Sequence, residues 1–207
     1  MQPAFFLPLR LYEPSVRRLP LLFLWFGFAF NAPAPAPAAE ANGAFRVMSA
    51  VLVEGGRFHP EQVYNRSGCQ GKNISPDLRW TPPPDATRSL AVTMFDPDAP
   101  SGHGWWHWAI FNLPPQTRNL PAGAGSPGRA RTLGTAVRQA RNDFGDTGYS
   151  GPCPPAGDHP HRYVITVYAL DVPEVTAAQK TLNAAAVASE LERHSLAKTT
   201  LTAGYGG

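Results

Sequence analysis

The chain has little charge and almost no cysteine. Charged residues make up 16% of its 207 positions, below the roughly 25% usual for soluble proteins. Together with 11% aromatic content, this excludes a charged, disordered chain. The surplus of 18 basic over 15 acidic residues is small, and Arg10, Arg17 and Arg18 supply much of it from before residue 40. The body is therefore near neutral, and charge implies no nucleic-acid partner. The apolar run from Leu19 to Phe30 is twelve residues long, short of the roughly 20 that a stable membrane span needs. No G-x-S-x-G, H-E-x-x-H or C-x-x-C occurs. A nucleophile elbow, a zincin helix and a cysteine zinc site are thereby excluded, and the sequence specifies no catalytic residue, metal or cofactor. No internal repeat and no long linker follow residue 44.

Proline and glycine are abundant, with 23 and 19 residues, about a fifth of the chain. Such a sequence fits short strands joined by irregular loops better than a helical bundle. Residues 1–39 have a different character. Basic residues come first, then the apolar run, then Ala32, Ala34, Ala36, Ala38 and Ala39. This is the order of a secretory signal, with A-x-A-like cleavage sites near 38–41. The alternative is an uncleaved anchor. Cleavage predicts a periplasmic or secreted protein whose domain runs over 45–207.

Cys69 and Cys153 stand far apart in separate loops. In an oxidising compartment a disulfide is the natural reading of an isolated pair; two free thiols are the alternative.

Strands are predicted over 45–53, 89–95, 105–113, 162–170 and 198–205, from apolar, β-branched and aromatic runs bounded by proline. A helix is predicted over 176–197, where alanine is rich and Leu182, Val187, Leu191 and Leu196 recur at helical spacings. Long loops remain at 54–88, 114–134 and 142–161, and Cys69 and Cys153 sit in two of them.

Two clusters bring chemistry. Asp96-Pro97-Asp98-Ala99-Pro100 precedes Trp105-Trp106-His107-Trp108, and Gly151-Pro152-Cys153-Pro154-Pro155-Ala156-Gly157 precedes His161-Arg162-Tyr163. Each sets a Pro/Gly loop beside a strand that carries a histidine. Proline fixes the backbone, glycine allows close approach, and histidine and tyrosine can donate to an oxyanion. Strict alternation puts His107 opposite Trp106 and Trp108, on the face of Trp105. Asp98 either caps the D-P-D-A-P turn or contacts a ligand. Arg141 and Asp143 are read as a loop-pinning pair, His103 and His159 as exposed loop residues, Trp80 as core, and 122–131 as a flexible connection.

The strings D-P-D-A-P, G-W-W-H-W, N-D-F-G, G-Y-S-G-P-C-P-P-A-G and H-R-Y, with N-I-S-P-D-L-R-W at 73–80, occur in an order that resembles the phosphatidylethanolamine-binding protein family, in its bacterial Raf-kinase-inhibitor-like branch. The resemblance implies a mostly β fold: a large central antiparallel sheet, a smaller sheet and one or two C-terminal helices. It also implies a small pocket for an anionic, phosphate-bearing group. Its residues fall here on Asp96, Trp105, His107, Gly151, Pro155, His161 and Tyr163, with Asp98 beside them. Asp96 would hold His107 or His161 as a protonated donor, or else hydrogen-bond an ammonium head or a protonated phosphate oxygen, and the Tyr163 hydroxyl would meet the oxyanion. Some exported members share the cysteine pair. Trp106 stands where animal members have the first of two histidines.

The leading expectation is a non-enzymatic binding protein. The alternatives are a protease or kinase inhibitor that acts through its surface and, less favoured, a His/Asp-dependent hydrolase. The resemblance also leaves room for a protein target and for a homodimer, which no residue here specifies.

Overall fold

The structure, a computed structural model, describes residues 44–176 and 183–207. The expected signal segment at 1–39 lies outside them, as does the 177–182 part of the predicted helix.

The fold is mostly β. Five antiparallel strands form the large sheet: β3 (Ser89–Asp96), β4 (Trp105–Leu113), β6 (Arg138–Gln139), β7 (His161–Leu170) and β8 (Ser195–Tyr205), in the order β6-β4-β3-β7-β8. A smaller antiparallel sheet joins β1 (Val47–Met48), β2 (Leu78–Trp80) and β5 (Asn119–Leu120) in the order β1-β2-β5. Among the described residues the helix is α1, Ala184–Arg193, and it starts where the Asn183 side chain accepts hydrogen bonds from the Ala185 and Ala186 amides.

Each face of the large sheet buries its own core. Leu90, Val92 and Met94 of β3, Trp108 and Ile110 of β4, and Ile165 and Val167 of β7 meet Val47, Leu78, Trp80 and Leu120 of the small sheet. On the opposite face, Ala91, Ala109, Phe111 and Leu170 meet Ala184, Val187 and Leu191 of α1. Among the described residues, no helix is long and apolar enough to cross a membrane.

The central strands fall where the sequence predicts them. The differences lie at the margins and have local causes. Residues 49–53 do not continue β1, because their amides turn to side chains. Asp77 accepts from Ala50 N, and the Ser49 hydroxyl accepts from Val51 N and Leu52 N. The predicted helix stops short of 197. His194 closes α1, and Ser195 to Ala197 enter the ladder against β7. Leu196, counted in the helical stripe, is an exposed residue of β8. The short β2 and β5 arise inside segments read as loops, since two or three residues carry no periodicity.

The 122–131 segment is built in rather than loose. Ser75 Oγ accepts from Gly125 N at 2.9 Å, and Gly125 O accepts from Tyr149 N. A 3-10 turn, Arg129–Leu133, begins within it and runs past its end.

Cys69 and Cys153 are disulfide-bonded across 84 residues of sequence. Closing a loop of that size predicts that reduction, or a double substitution to serine, lowers stability by about 4–5 kcal/mol in the chain-entropy model. Denaturant unfolding with and without reductant measures this. Unchanged stability, or free thiols in the mass of the unreduced protein, would exclude the stabilising bridge.

Candidate functional site

The strand order β4-β3-β7 brings three chain segments to one end of the large sheet. Asp96, the last residue of β3, is paired with Trp105, the first of β4, and His161 opens β7 next to them. A cavity of about 370 Å³ opens there. Its walls are Asp96, Ala99, Pro100, Ser101, Trp105, His107, Phe144, Cys153, Pro154, Pro155 and His161.

His107 reaches the cavity through a break in the ladder. Met94 pairs with Trp108 and Phe95 with Trp106, so His107 is the extra residue of a β-bulge. Bulges re-aim side chains, often beside functional sites. This overturns the strict alternation expected for the W-W-H-W run. Trp106 packs with the α1-side core, whereas Trp108 lies in the core between the sheets.

The His107 ring is 2% exposed. Its Nδ1 lies 2.8 Å from Ser150 O and 3.2 Å from Gly151 O. Carbonyl oxygens only accept, so Nδ1 carries the proton and donates. Burial pushes the ring below the usual histidine pKa, against the pull of those carbonyls and of Asp96. His107 is therefore neutral at ordinary pH, and its Nε2, which has no hydrogen-bond partner among the described residues, is an acceptor on the cavity wall. From sequence alone a donor is expected there.

His161 is held the opposite way. Its Nδ1 donates to Asp96 Oδ2 at 2.8 Å, and its Nε2 faces Asp158 Oδ2 at 3.2 Å. Burial alone would lower its pKa, but the hydrogen bonds to Asp96 and Asp158 outweigh it and the net shift is upward. Of the two histidines that Asp96 could hold, the structure realises His161. The other Asp96 oxygen accepts from Asp98 N at 2.8 Å, so Asp96, rather than Asp98, caps the D-P-D-A-P turn.

Five of the eight expected site residues line the cavity: Asp96, Trp105, His107, Pro155 and His161. Three do not. Asp98 grips Arg162 through two side-chain contacts of 2.6 and 2.8 Å, and the guanidinium holds its carboxyl at about 2. Gly151 lies behind the wall. Its amide donates to Asn73 Oδ1 at 2.8 Å, and a Cβ there would run into the Gln62 carbonyl. Tyr163 is fully buried under His107, ring edge to ring, with centroids 5.1 Å apart. Its hydroxyl is buried with no hydrogen bond of good geometry among the described residues, and burial raises its pKa far above the ordinary tyrosine value.

Sequence reasoning misses other lining residues. Phe144 sits in the N-D-F-G string, whose residues read as a pinning loop rather than a wall. The pin itself differs from the expected Arg141–Asp143 pair. The Asn142 amide donates to His107 O, Gly148 O and Ser150 Oγ, while Asn142 Oδ1 accepts from Phe144 N and Asp146 N. Asp143 accepts instead from Trp106 N at 2.7 Å. His103 and His159 are exposed and Trp80 is buried, as expected.

A family model described as phosphatidylethanolamine-binding protein matches residues 49–206. The UPF0098 protein YbhB of Escherichia coli K12 is 44% identical over 158 residues, which is 76% of this chain and 98% of the relative. The UPF0098 protein YbcL of the same organism is 44% identical over 132 residues, 64% of this chain and 72% of the relative. The crystal structure of E. coli YbcL, titled a new member of the mammalian PEBP family, superposes with a TM-score of 0.75 at 39% identity and covers 79% of this chain and 98% of that one. The homologue CT736 of Chlamydia trachomatis gives 0.61 at 30% identity over the same shares.

The two histidines should separate in a titration followed by NMR of the ring protons: His161 above, and His107 below, the ordinary value of roughly 6.5. Asp96→Asn should bring the His161 titration down. Because the folded-state pKa of His161 is raised, its contribution to stability is fully present below roughly pH 6.5 and is lost as pH rises through the folded value. The stability gap between wild type and Asp96→Asn, read from unfolding curves, should therefore be wider at about pH 6 than at higher pH, and narrow as pH rises through the histidine range. A gap that widens with pH would contradict the assignment.

Proposed function

Because the chain belongs to the phosphatidylethanolamine-binding protein family, we propose that it is an exported, non-enzymatic binding protein that holds a small phosphate-bearing group in the His107–His161 cavity. The observation that carries this reading is a pair of buried histidines on one small cavity held in opposite ways, His107 Nδ1 on backbone carbonyls and His161 between two carboxylates. One offers an acceptor, the other a charge already balanced by carboxylates. A cavity of about 370 Å³ sits at the small end of the roughly 300–1,000 Å³ range of ligand sites, which suits a head group better than acyl chains. Among the described residues the walls carry no lysine or arginine. The favoured ligand therefore brings a protonated phosphate oxygen for His107 Nε2, or an ammonium that faces Asp158.

The Cys69–Cys153 bond supports an oxidising compartment, and so a periplasmic or secreted protein once residues 1–39 are removed. A hydrolytic role finds little support in the hydroxyl on the cavity. Ser101 Oγ donates to Gly104 O at 2.7 Å, so its proton is committed away from either histidine.

Calorimetric titration with inorganic phosphate and phosphorylethanolamine tests the reading. Saturable binding is expected, with His107→Ala weaker by at least roughly tenfold, about 1.4 kcal/mol. Tyr163→Phe should change affinity less, since the hydroxyl does not line the cavity. Absence of binding at millimolar ligand, or indifference to His107→Ala, would overturn it.

A further inference from the structure

We propose that Asp158, His159 and His161 bind one divalent transition-metal ion, of the zinc class, at the rim of the cavity. The three residues offer two imidazoles and a carboxylate, and their donor atoms all lie within 4.8 Å of one another. His161 Nε2 is 3.2 Å from Asp158 Oδ2, and His159 Nδ1 is 2.8 Å from Asp158 Oδ1. An ion bonded at about 2.0–2.1 Å to each of three tetrahedral ligands holds them roughly 3.4 Å apart. The His161–Asp158 spacing already comes close to that demand, whereas His159 now bonds the other oxygen of the same carboxylate. Completing the set needs a swing of His159, which is exposed and follows Gly157 at a φ of 81°.

A second observation lies behind the cluster. The His161 ring is 1% exposed, and its Nδ1 is bonded to Asp96, itself 2% exposed. A buried carboxylate that takes one ring proton leaves the other nitrogen as an outward-facing donor, the arrangement that orients histidine toward metals. Asp158 is steadied in turn, since its amide donates to Pro155 O at 3.1 Å. Metal entry displaces the proton on His161 Nε2, which leaves to solvent, and Asp158 then faces the ion rather than the ring. Two imidazoles favour zinc, nickel or copper over magnesium or calcium, which prefer oxygen ligands. The site stands independently of phosphate binding, although an ion there adds positive charge beside walls that carry no lysine or arginine among the described residues.

The test is calorimetric titration of the tag-free protein with Zn²⁺ at neutral pH, beside Asp158→Asn and His159→Ala. Both substitutions lie on a surface loop, and thermal unfolding of the metal-free proteins checks that they fold. One equivalent of Zn²⁺ is expected, with each variant at least tenfold weaker. In wild type the ring signals of His159 and His161 shift on loading, while those of His194 do not. Undiminished binding in both variants, a shift confined to His194, or no saturable binding at all would overturn the site.

Discussion

Asp96 and His161 meet in a buried contact that fixes both the end of the large sheet and the charge of the cavity. A carboxylate 2% exposed is costly to bury unless it is paired and hydrogen-bonded. Here each oxygen has its own partner: Asp98 N on one, His161 Nδ1 on the other. The first bond closes the turn that leads into the 97–104 wall. The second fixes the first residue of β7 against the last residue of β3. Removing one partner of such a pair leaves an uncompensated buried group, at a cost of about 3–5 kcal/mol. The same contact therefore holds two strand ends together and sets the protonation of a cavity histidine. The Asp98–Arg162 pair beside it reinforces the joint at the surface, where exposure of the Arg162 side chain weakens the ion pair.

What could be read in the sequence follows from length and periodicity. Strands β3, β4 and β7 have eight to ten residues and nearly continuous apolar faces, because both sides of the sheet are covered. Such runs announce themselves. Strands β1, β2 and β5 have two or three residues and no period to detect. The C-terminal limit of the helix was hidden for another reason. Leu196 continues the helical spacing, but its neighbours Ser195 and Ala197 pair with β7 and carry it into β8 as the extra residue of a bulge. In the site, Asp96, Trp105, His107, Pro155 and His161 were legible from clustering and from resemblance. Phe144 and the protonation states were not. The bulge at His107 exists only in the register between two strands, and the tautomer only in its distance to Ser150 O. Neither leaves a mark on a single string of residues.

Long loops usually argue for mobility, yet the cavity walls are tied from behind. Asn142 alone satisfies five neighbouring polar groups across 107–150. Asn73, at a φ of 55°, clamps Gly151 N and Tyr149 O through its amide. Asp146 accepts from Tyr64, Ser150 and Arg66. Burial alone would raise its carboxyl, but these bonds outweigh it and hold the group below the ordinary range. The disulfide ties Cys153, itself a wall residue, to the loop at Cys69. The N-I-S-P, N-D-F-G and G-P-C-P strings are thus three parts of one support. That support needs short amides that can bond backbone in several directions, and a glycine where the Gln62 carbonyl leaves no room for a side chain.

Rigid walls make the charge pattern of the cavity decisive for selectivity. A fixed site cannot recruit a distant lysine to neutralise a ligand, so the ligand must match the groups in place. A fully ionised phosphate would face the Asp96 and Asp158 carboxylates with one histidine cation between them. A singly protonated phosphate ester differs in two respects. Its hydroxyl can donate to the neutral His107 Nε2, which a dianion cannot use without first protonating a ring whose burial resists it. Its smaller charge also reduces repulsion from the carboxylates, which low local dielectric amplifies. A zwitterionic head group goes further, because its ammonium turns the Asp158 side of the rim from repulsive to attractive. On the proposed reading, His107, whose ring burial holds below the usual histidine range, would discriminate ligand protonation rather than supply a generic positive charge.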